Sequence, residues 1–416
     1  MAHRIDTAIL HGEIDNTERG RVRGKLWLLG REEPVVLDLD GDAWRDVAGT
    51  RVAFKNPTPQ PQPAAAKLNA VQTGMAGDIT ASRKVKVFTV PEEEWQEAYQ
   101  QNRIAEVPTE WRNSLYLEWF TPEQGRCVVE SADFEITVSG HEWEMDEDEE
   151  GAQKLANMQA MRDFLAGIIQ RPEPKEADEE DLENEDACDS LELTEEEWEE
   201  QLKASDRLTD ASMEAYEKYG EDDDSEEKTA FVMGWDHLLE DMADAQEGVL
   251  PSDDDSPEKK RRREWAEQMN EAAEEAEESN WLEEQEALEP HPLQQQARDY
   301  LSQVMSDIRG TDLNESRGED RDHPLDRYLT NVMQISGKLA GALHARRDLD
   351  DDYNRGYVLA ITKRCLNWAN EALAAVQDLQ ASPELEAHRQ RMENWQQGLF
   401  GLRDGILQLR NELRRD

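Results

Sequence analysis

Met392-Glu-Asn-Trp-Gln-Gln-Gly-Leu-Phe-Gly-Leu-Arg-Asp-Gly-Ile-Leu-Gln-Leu-Arg-Asn-Glu-Leu413 decides how the last third of the chain folds. Taken back to Leu385 and His388, its core positions are Leu385, His388, Met392, Trp395, Leu399, Leu402, Ile406, Leu409 and Leu413, which alternate steps of three and four without a break. That spacing is a heptad seam, the pattern of a helix packed along its length against others. Val358, Ile361, Cys365, Trp368, Ala372, Ala375 and Leu379 repeat it, and shorter apolar stripes begin at Leu293 and Leu325, each after a His-Pro pair suited to a first helical turn. With loops at Gly310–Asp322, Arg346–Asp352 and Ala381–Pro383, residues 291–416 are expected to form an up-down-up-down four-helix bundle. A coiled-coil dimer shares this pattern, so a homodimer through the C-terminal helices is its other use. Gly398, Gly401 and Gly405 lie beside the last seam, where small residues let a neighbouring helix approach. Tyr300-Leu-Ser-Gln-Val-Met305 also echoes Tyr328-Leu-Thr-Asn-Val-Met333.

Upstream, composition changes sharply. Residues 171–290 hold 46 Asp and Glu against 11 Lys and Arg, so they carry −35 of the chain's net −50 and leave −15 to both flanks. A field of that sign repels nucleic acid and anionic membrane and attracts basic proteins. The first part of this stretch, through Ser190, has almost no apolar content and is expected to be disordered. Thr194-Glu-Glu-Glu-Trp198 then supplies an N-cap with Glu three residues on, predicting a helix from there to Tyr219. A second amphipathic helix is expected over Glu226–Ala245, and a third, Glu-rich one from Pro257 to about Leu288.

The N-terminal part, Ala8 to Gly140, alternates polar and apolar residues in short β-branched and aromatic runs, among them Arg21–Leu29, Pro34–Leu39, Arg51–Phe54, Lys84–Val90, Leu115–Phe120, Cys127–Val129 and Phe134–Val138. One wet face per sheet predicts a small antiparallel β-barrel or sandwich. A short helix at Glu92–Gln101 and a longer one over Ala152–Gln170, which closes the domain, complete it. The fold class expected is therefore a multidomain α+β chain: residues 1–170 β-rich, 171–290 acidic and partly disordered, 291–416 helical.

Candidate chemistry is sparse. Val35-Val-Leu-Asp-Leu-Asp-Gly41, an apolar strand ending in Asp-x-Asp-Gly, resembles the first motif of the haloacid-dehalogenase phosphatases. The resemblance implies Asp38 as nucleophile and Asp40 as acid/base, with magnesium, in a metal-dependent hydrolase or nucleotide-handling enzyme. It covers seven residues; Asp42 departs from the motif, and a strand rather than a helix is expected next, so a β-turn at Asp40-Gly41 is preferred. Gly20–Lys25 is one residue short of a phosphate loop, and Asp348–Gly356 lacks the glycine and glutamate a calcium loop needs. The eight histidines show no zinc-ligand spacing, so no catalytic residue, metal ligand or cofactor is assigned. Cys127, Cys188 and Cys365 are odd in number and far apart, as free thiols in a reducing, cytoplasmic compartment are. No apolar run reaches the ~18 residues of a membrane span.

These features point to a non-enzymatic adaptor that binds a basic protein partner through its acidic middle. Trp198, Trp235, Trp265 and Trp281 would be the buried anchors; Glu195, Glu196, Glu197, Asp222, Asp223 and Asp224 would steer the partner. The competing use for the tryptophans is packing within the same chain. A mimic of nucleic acid is a further alternative, and Lys259–Arg263, the only basic run, is expected to pair with Glu264, Glu267 and Asp253–Asp255.

Overall fold

The structure is a computed structural model that describes residues 2–101, 103–170, 193–220, 222, 224–248, 256–278, 290–309, 311, 313, 323–345 and 355–415. The expected disorder up to Ser190, together with Cys188, Asp223, Trp281 and most of the calcium-like loop, lies outside the described residues. The chain is mixed α+β and divides into two compact units, Met1–Glu173 with Asp206–Leu250, and Pro174–Ser205 with Pro251–Asp416.

In the first unit the alternating runs form β1 (His3–Arg4), β2 (Ile9–Asp15), β3 (Arg21–Leu28), β4 (Val35–Asp40), β5 (Arg51–Lys55), β6 (Val71–Phe88), β7 (Thr109–Thr121), β8 (Gly125–Ser131) and β9 (Glu135–Val138). They join in one sheet in the order β1-β8-β7-β6-β4-β3-β2-β5-β9. This corrects the all-antiparallel pairing expected of the strands. The sheet is mixed, because β1 pairs with β8 and β4 with β6 in parallel, and among the described residues no pairing of β1 with β9 closes it. Alternation fixes which face of a strand is wet but not the direction of its neighbour. The 30 residues between β4 and β6 provide the long crossover that a parallel pair requires.

One face of the sheet buries Leu26, Leu37, Leu39, Leu115, Leu117, Trp119 and their neighbours in a single core. The other face of β7 is buried too, since every residue from Ser114 to Thr121 is enclosed. Helices cover it: α3 (Glu147–Ile169), the C-terminal turns of α4 (Glu195–Tyr219) and α5 (Ser225–Met233) meet Phe120 in a second core with Met161, Leu165, Ala215, Val232 and Met233. Two short helices, α1 (Pro63–Ala66) and α2 (Glu92–Gln100), lie in the preceding connections. α3 starts at a capping box in which Asp146 accepts from the Glu149 amide and Glu149 reaches back to the Asp146 amide. The single helix expected over Glu226–Ala245 is two, α5 and α6 (Asp236–Glu247), because Gly234 adopts φ 64°, a left-handed conformation that ends α5.

The second unit holds the N-terminal turns of α4, then α7 (Pro257–Glu278), α8 (Pro292–Arg309), α9 (Pro324–Ala345), α10 (Arg355–Ala381) and α11 (Arg389–Leu413). Consecutive members of α8 to α11 pack together, and α8 also packs on α11. Leu385, Met392, Trp395, Leu399, Leu402, Ile406, Leu409 and Leu413 are all buried in the shared core, whereas His388 lies outside that cluster. The repeated tyrosines meet there: the Tyr300 and Tyr328 hydroxyls are 2.5 Å apart, Tyr300 donates to the Trp395 carbonyl at 2.8 Å, and Tyr328 stacks on Trp395.

Of the glycines beside this seam, Gly398 and Gly405 are required by contact, whereas a Cβ on Gly401 would meet only the end of Gln296 at 3.4 Å. A Cβ on Gly398 would stand 2.3 Å from the Tyr300 ring, and one on Gly405 would stand 2.7 Å from Leu293. Alanine improves helix propensity by about 1 kcal/mol, but overpacking against a ring held at its hydroxyl costs about 1–3 kcal/mol. Gly398→Ala is therefore expected to lower the stability of the second unit in a denaturant titration, despite the better helix former.

Candidate functional site

The most concentrated chemistry in the described residues is a set of charges sealed between the sheet and α4. It begins with a carboxylate where the sequence is apolar: Glu118 sits in Leu115-Tyr-Leu-Glu-Trp-Phe120 and is wholly buried on the helix-covered face of β7. Space for it comes from β6. A register shift between Ala76 and Ile79 bulges the strand at Gly77-Asp78, and a Cβ on Gly77 would stand 2.5 Å from the Glu118 carboxylate. The Asp78 amide then donates to Glu118 Oε2 at 3.2 Å.

Two cations complete the set. Arg126 of β8, 1% exposed, donates through Nε to Glu118 Oε1 at 2.7 Å, through Nη1 to Glu214 of α4 at 2.8 Å, and through Nη2 to the Tyr116 hydroxyl at 3.2 Å. Lys218, one turn after Glu214 on α4, donates to Glu118 Oε2 and lies 3.2 Å from Asp78 Oδ2. Asp78 is held in turn by Trp44 Nε1 at 3.2 Å and Asn157 Nδ2 of α3 at 2.8 Å. Outside this core, Arg4 bridges Glu217 and Glu130, and Arg83 lies over the Tyr116 ring.

The electrostatics follow from enclosure. Burial alone would raise the Glu118 carboxyl, but the charges of Lys218 and Arg126 and the hydrogen bonds they donate outweigh it and bring it down to about 2. Burial opposes both cations, yet the facing carboxylates keep Lys218 and Arg126 above their ordinary values. Burial, then the neighbouring Glu118 charge, pushes the Tyr116 hydroxyl up to about 12. Glu118, Lys218 and Arg126 are thereby all held in their charged forms. The chemistry of the cluster is that of a clasp that fixes α4 to the sheet.

A smaller set of ion pairs lies within the second unit, where the first turns of α4 meet α10 and α11. Thr194 and Glu197 form the expected capping pair, with the Thr194 amide donating to Glu197 Oε2 at 2.8 Å. Glu195 accepts from the mostly buried Arg410 at 2.7 Å and from Arg414 at 3.0 Å; burial would raise its carboxyl, but those guanidiniums hold it below the usual range. Glu199 pairs with Arg364 at 3.2 Å.

The residues expected to meet a partner are thus dispersed. Trp198 is half-buried, edge-on to Tyr357 at 5.1 Å. Trp235 packs against the core of Phe120 and Met161. Asp222 and Asp224 both hold Lys228 at 2.8 Å. Glu196 is exposed on α4, and Trp265 is 64% exposed on α7. Asp38 is gripped from two sides by Arg21, at 2.6 and 2.5 Å, on a strand flanked by β3 and β6. Among the described residues no group of three or more His, Cys, Asp and Glu could hold a metal ion. Cys127 and Cys365 are free and buried, and burial pushes both thiols up to about 12. No described helix is long and apolar enough to cross a membrane. No family model, curated protein or solved structure matches the chain.

Glu118, Arg126 and Lys218 were not singled out from sequence. The available signal was a carboxylate amid an apolar strand, and a lysine between Ala215 and Tyr219 on the buried side of an acidic helix.

Removing one member leaves the others buried and uncompensated, so Glu118→Gln is expected to cost about 3–5 kcal/mol in urea titrations at pH 7. The pH dependence has a fixed sign. The folded-state pKa of Glu118 is depressed to about 2, so its stabilisation is complete above the unfolded value of about 4.3 and is lost as pH falls from there towards 2. Glu118→Gln should remove that portion of the acid slope.

Proposed function

We propose that this chain is a non-enzymatic adaptor whose acidic surface holds a basic protein partner. One observation carries the proposal. Among the described residues the acidic stretch is helical over α4 to α7, and these helices present carboxylates to solvent beside exposed apolar side chains. On α4, Met213 and Tyr216 are 65% and 73% exposed and lie three residues apart on one face. Asp206 and Asp210, seven and three residues before Met213, are exposed along the same flank. A ring with a hydroxyl tip and a flexible thioether, rimmed by carboxylates, suits a cationic surface with a small apolar patch. Since Trp198 and Trp235 are taken up within the chain, the anchoring role passes to Tyr216 and Met213, with Glu196 among the steering charges.

The clasps of the same stretch support this chemistry, because Glu195, Glu214, Asp222 and Asp224 already hold arginine or lysine groups of their own chain. We read α8 to α11 as an up-down-up-down four-helix bundle that serves as a scaffold. A reducing, cytoplasmic setting suits the buried free thiols Cys127 and Cys365.

The test is a pull-down with the full chain across a salt series. A basic protein should be retained at about 50 mM salt and lost by about 500 mM, as screening shortens the range of the field. Tyr216→Ala with Asp210→Asn should weaken that binding about tenfold or more while leaving the melting curve unchanged. Capture of no basic protein, or equal retention at every salt concentration, sinks the proposal.

A further inference from the structure

The ribbon made by the end of β6 and the start of β7 carries a cavity at its tip. Strand pairing runs out to Phe88 opposite Thr109, and the Thr89 amide donates to the Pro108 carbonyl at 3.1 Å. Beyond that bond the chain turns through α2 and returns through residues 103–108. The return is braced by the Arg103 amide, which donates to the Ala98 carbonyl at 2.7 Å, and by the Glu106 amide, which donates to the Arg103 carbonyl at 3.0 Å. Trp95 of α2 stacks on Phe88 with ring centres 5.4 Å apart, which fixes the helix on the ribbon. The space left between α2 and the returning chain is about 290 Å³.

Val90, Ala98, Val107 and Pro108 form its walls, and Glu94, Arg103 and Glu106 bring charge to it. Arg103 is already committed, since its Nε donates to Gln101 at 3.1 Å and its Nη1 lies 3.6 Å from Glu106. Glu94 is exposed, and its side chain makes no hydrogen bond or ion pair among the described residues. The paired charges cancel, so Glu94 sets the sign of the cavity.

We propose that this cavity takes the side chain of an arginine from a basic partner. The methylene stem lies along Val90, Ala98 and Val107, and the planar guanidinium meets the two oxygens of Glu94. Sites for whole small ligands run from about 300 to 1,000 Å³, so this one suits a single long side chain. Tyr99, next to Ala98 on α2, and Trp111 on β7 are 69% and 65% exposed and offer uncovered aromatic surface to the residues flanking that arginine. The field of a chain at −50 concentrates cations near its surface, and the cavity selects among them by shape. The inference rests on the reading of a basic partner for the source of the arginine.

The test is saturation-transfer NMR on the full chain at about 150 mM salt, where the Debye length is about 8 Å, with acetyl-glycyl-arginyl-glycine amide as the probe. Saturation should reach the arginine methylenes. Glu94→Gln, and Ala98→Leu, which fills the cavity, should each raise the dissociation constant about tenfold or more. The same peptide with citrulline, which keeps the shape and loses the charge, should bind about tenfold more weakly or worse. Binding indifferent to both substitutions belongs to the acidic surface at large; it overturns the cavity and leaves the adaptor reading standing. Equal saturation of the citrulline peptide, or none of either peptide, overturns the cavity too. Peptide binding that depends on Glu94, in a chain that captures no basic protein across the salt series, supports the cavity and sinks the adaptor.

Discussion

A carboxylate sealed inside a β-sheet layer has to be matched, and much of the first unit follows from matching Glu118. Its position on β7 demands a glycine on the adjacent strand, a bulge that turns the Asp78 amide inwards, and an arginine from β8. Those groups still leave the guanidinium of Arg126 facing outwards and Glu118 Oε2 short of a cation. Glu214 and Lys218 meet both needs from α4, a helix of the acidic stretch itself. An ion set of this kind adds little net stability compared with an apolar core of equal volume, because removing charges from water is costly. It does make misplacement expensive. If α4 slid by one turn, Lys218 would leave Glu118 and Glu214 would leave Arg126, each buried and unmatched.

The negative charge of the chain therefore has two uses that composition alone does not separate. Some carboxylates, at Glu195, Glu214, Asp222 and Asp224, are structural partners of particular cations. Others face water along the helices, where they act through the field they create. In a chain at −50, the few cations inside the acidic stretch are scarce, and Lys218 and Lys228 are both committed to carboxylates nearby.

Elements governed by local chemistry were legible in the sequence. Thr194 and Glu197 announced the start of α4, the His-Pro pairs preceded α8 and α9, and the three-four steps from Leu385 to Leu413 marked the core of α11 except at His388. Elements set by distant parts of the chain were not. Val35–Asp40 reads the same whether its neighbour runs parallel or antiparallel, and Ala230–Leu239 looks like one amphipathic stripe until Gly234 turns left-handed. The Glu118 set draws on residues separated by up to 140 positions, from Asp78 to Lys218, so no window of sequence contains it. Trp235 illustrates the same limit, since an aromatic ring amid carboxylates suits a docking anchor and a core residue equally well until its neighbours are known.

The distribution of thiols gives the chain a readout of its own motions. Cys127 is enclosed in the first unit and Cys365 in the second, each buried and each protonated far above neutral pH. Alkylating reagents act on the exposed thiolate, so neither sulfur reacts until its surroundings open. With Cys188 replaced, the two modification rates would report separately on the opening of the β-sheet core and of the helical core, turning the native cysteines into paired clocks for local unfolding.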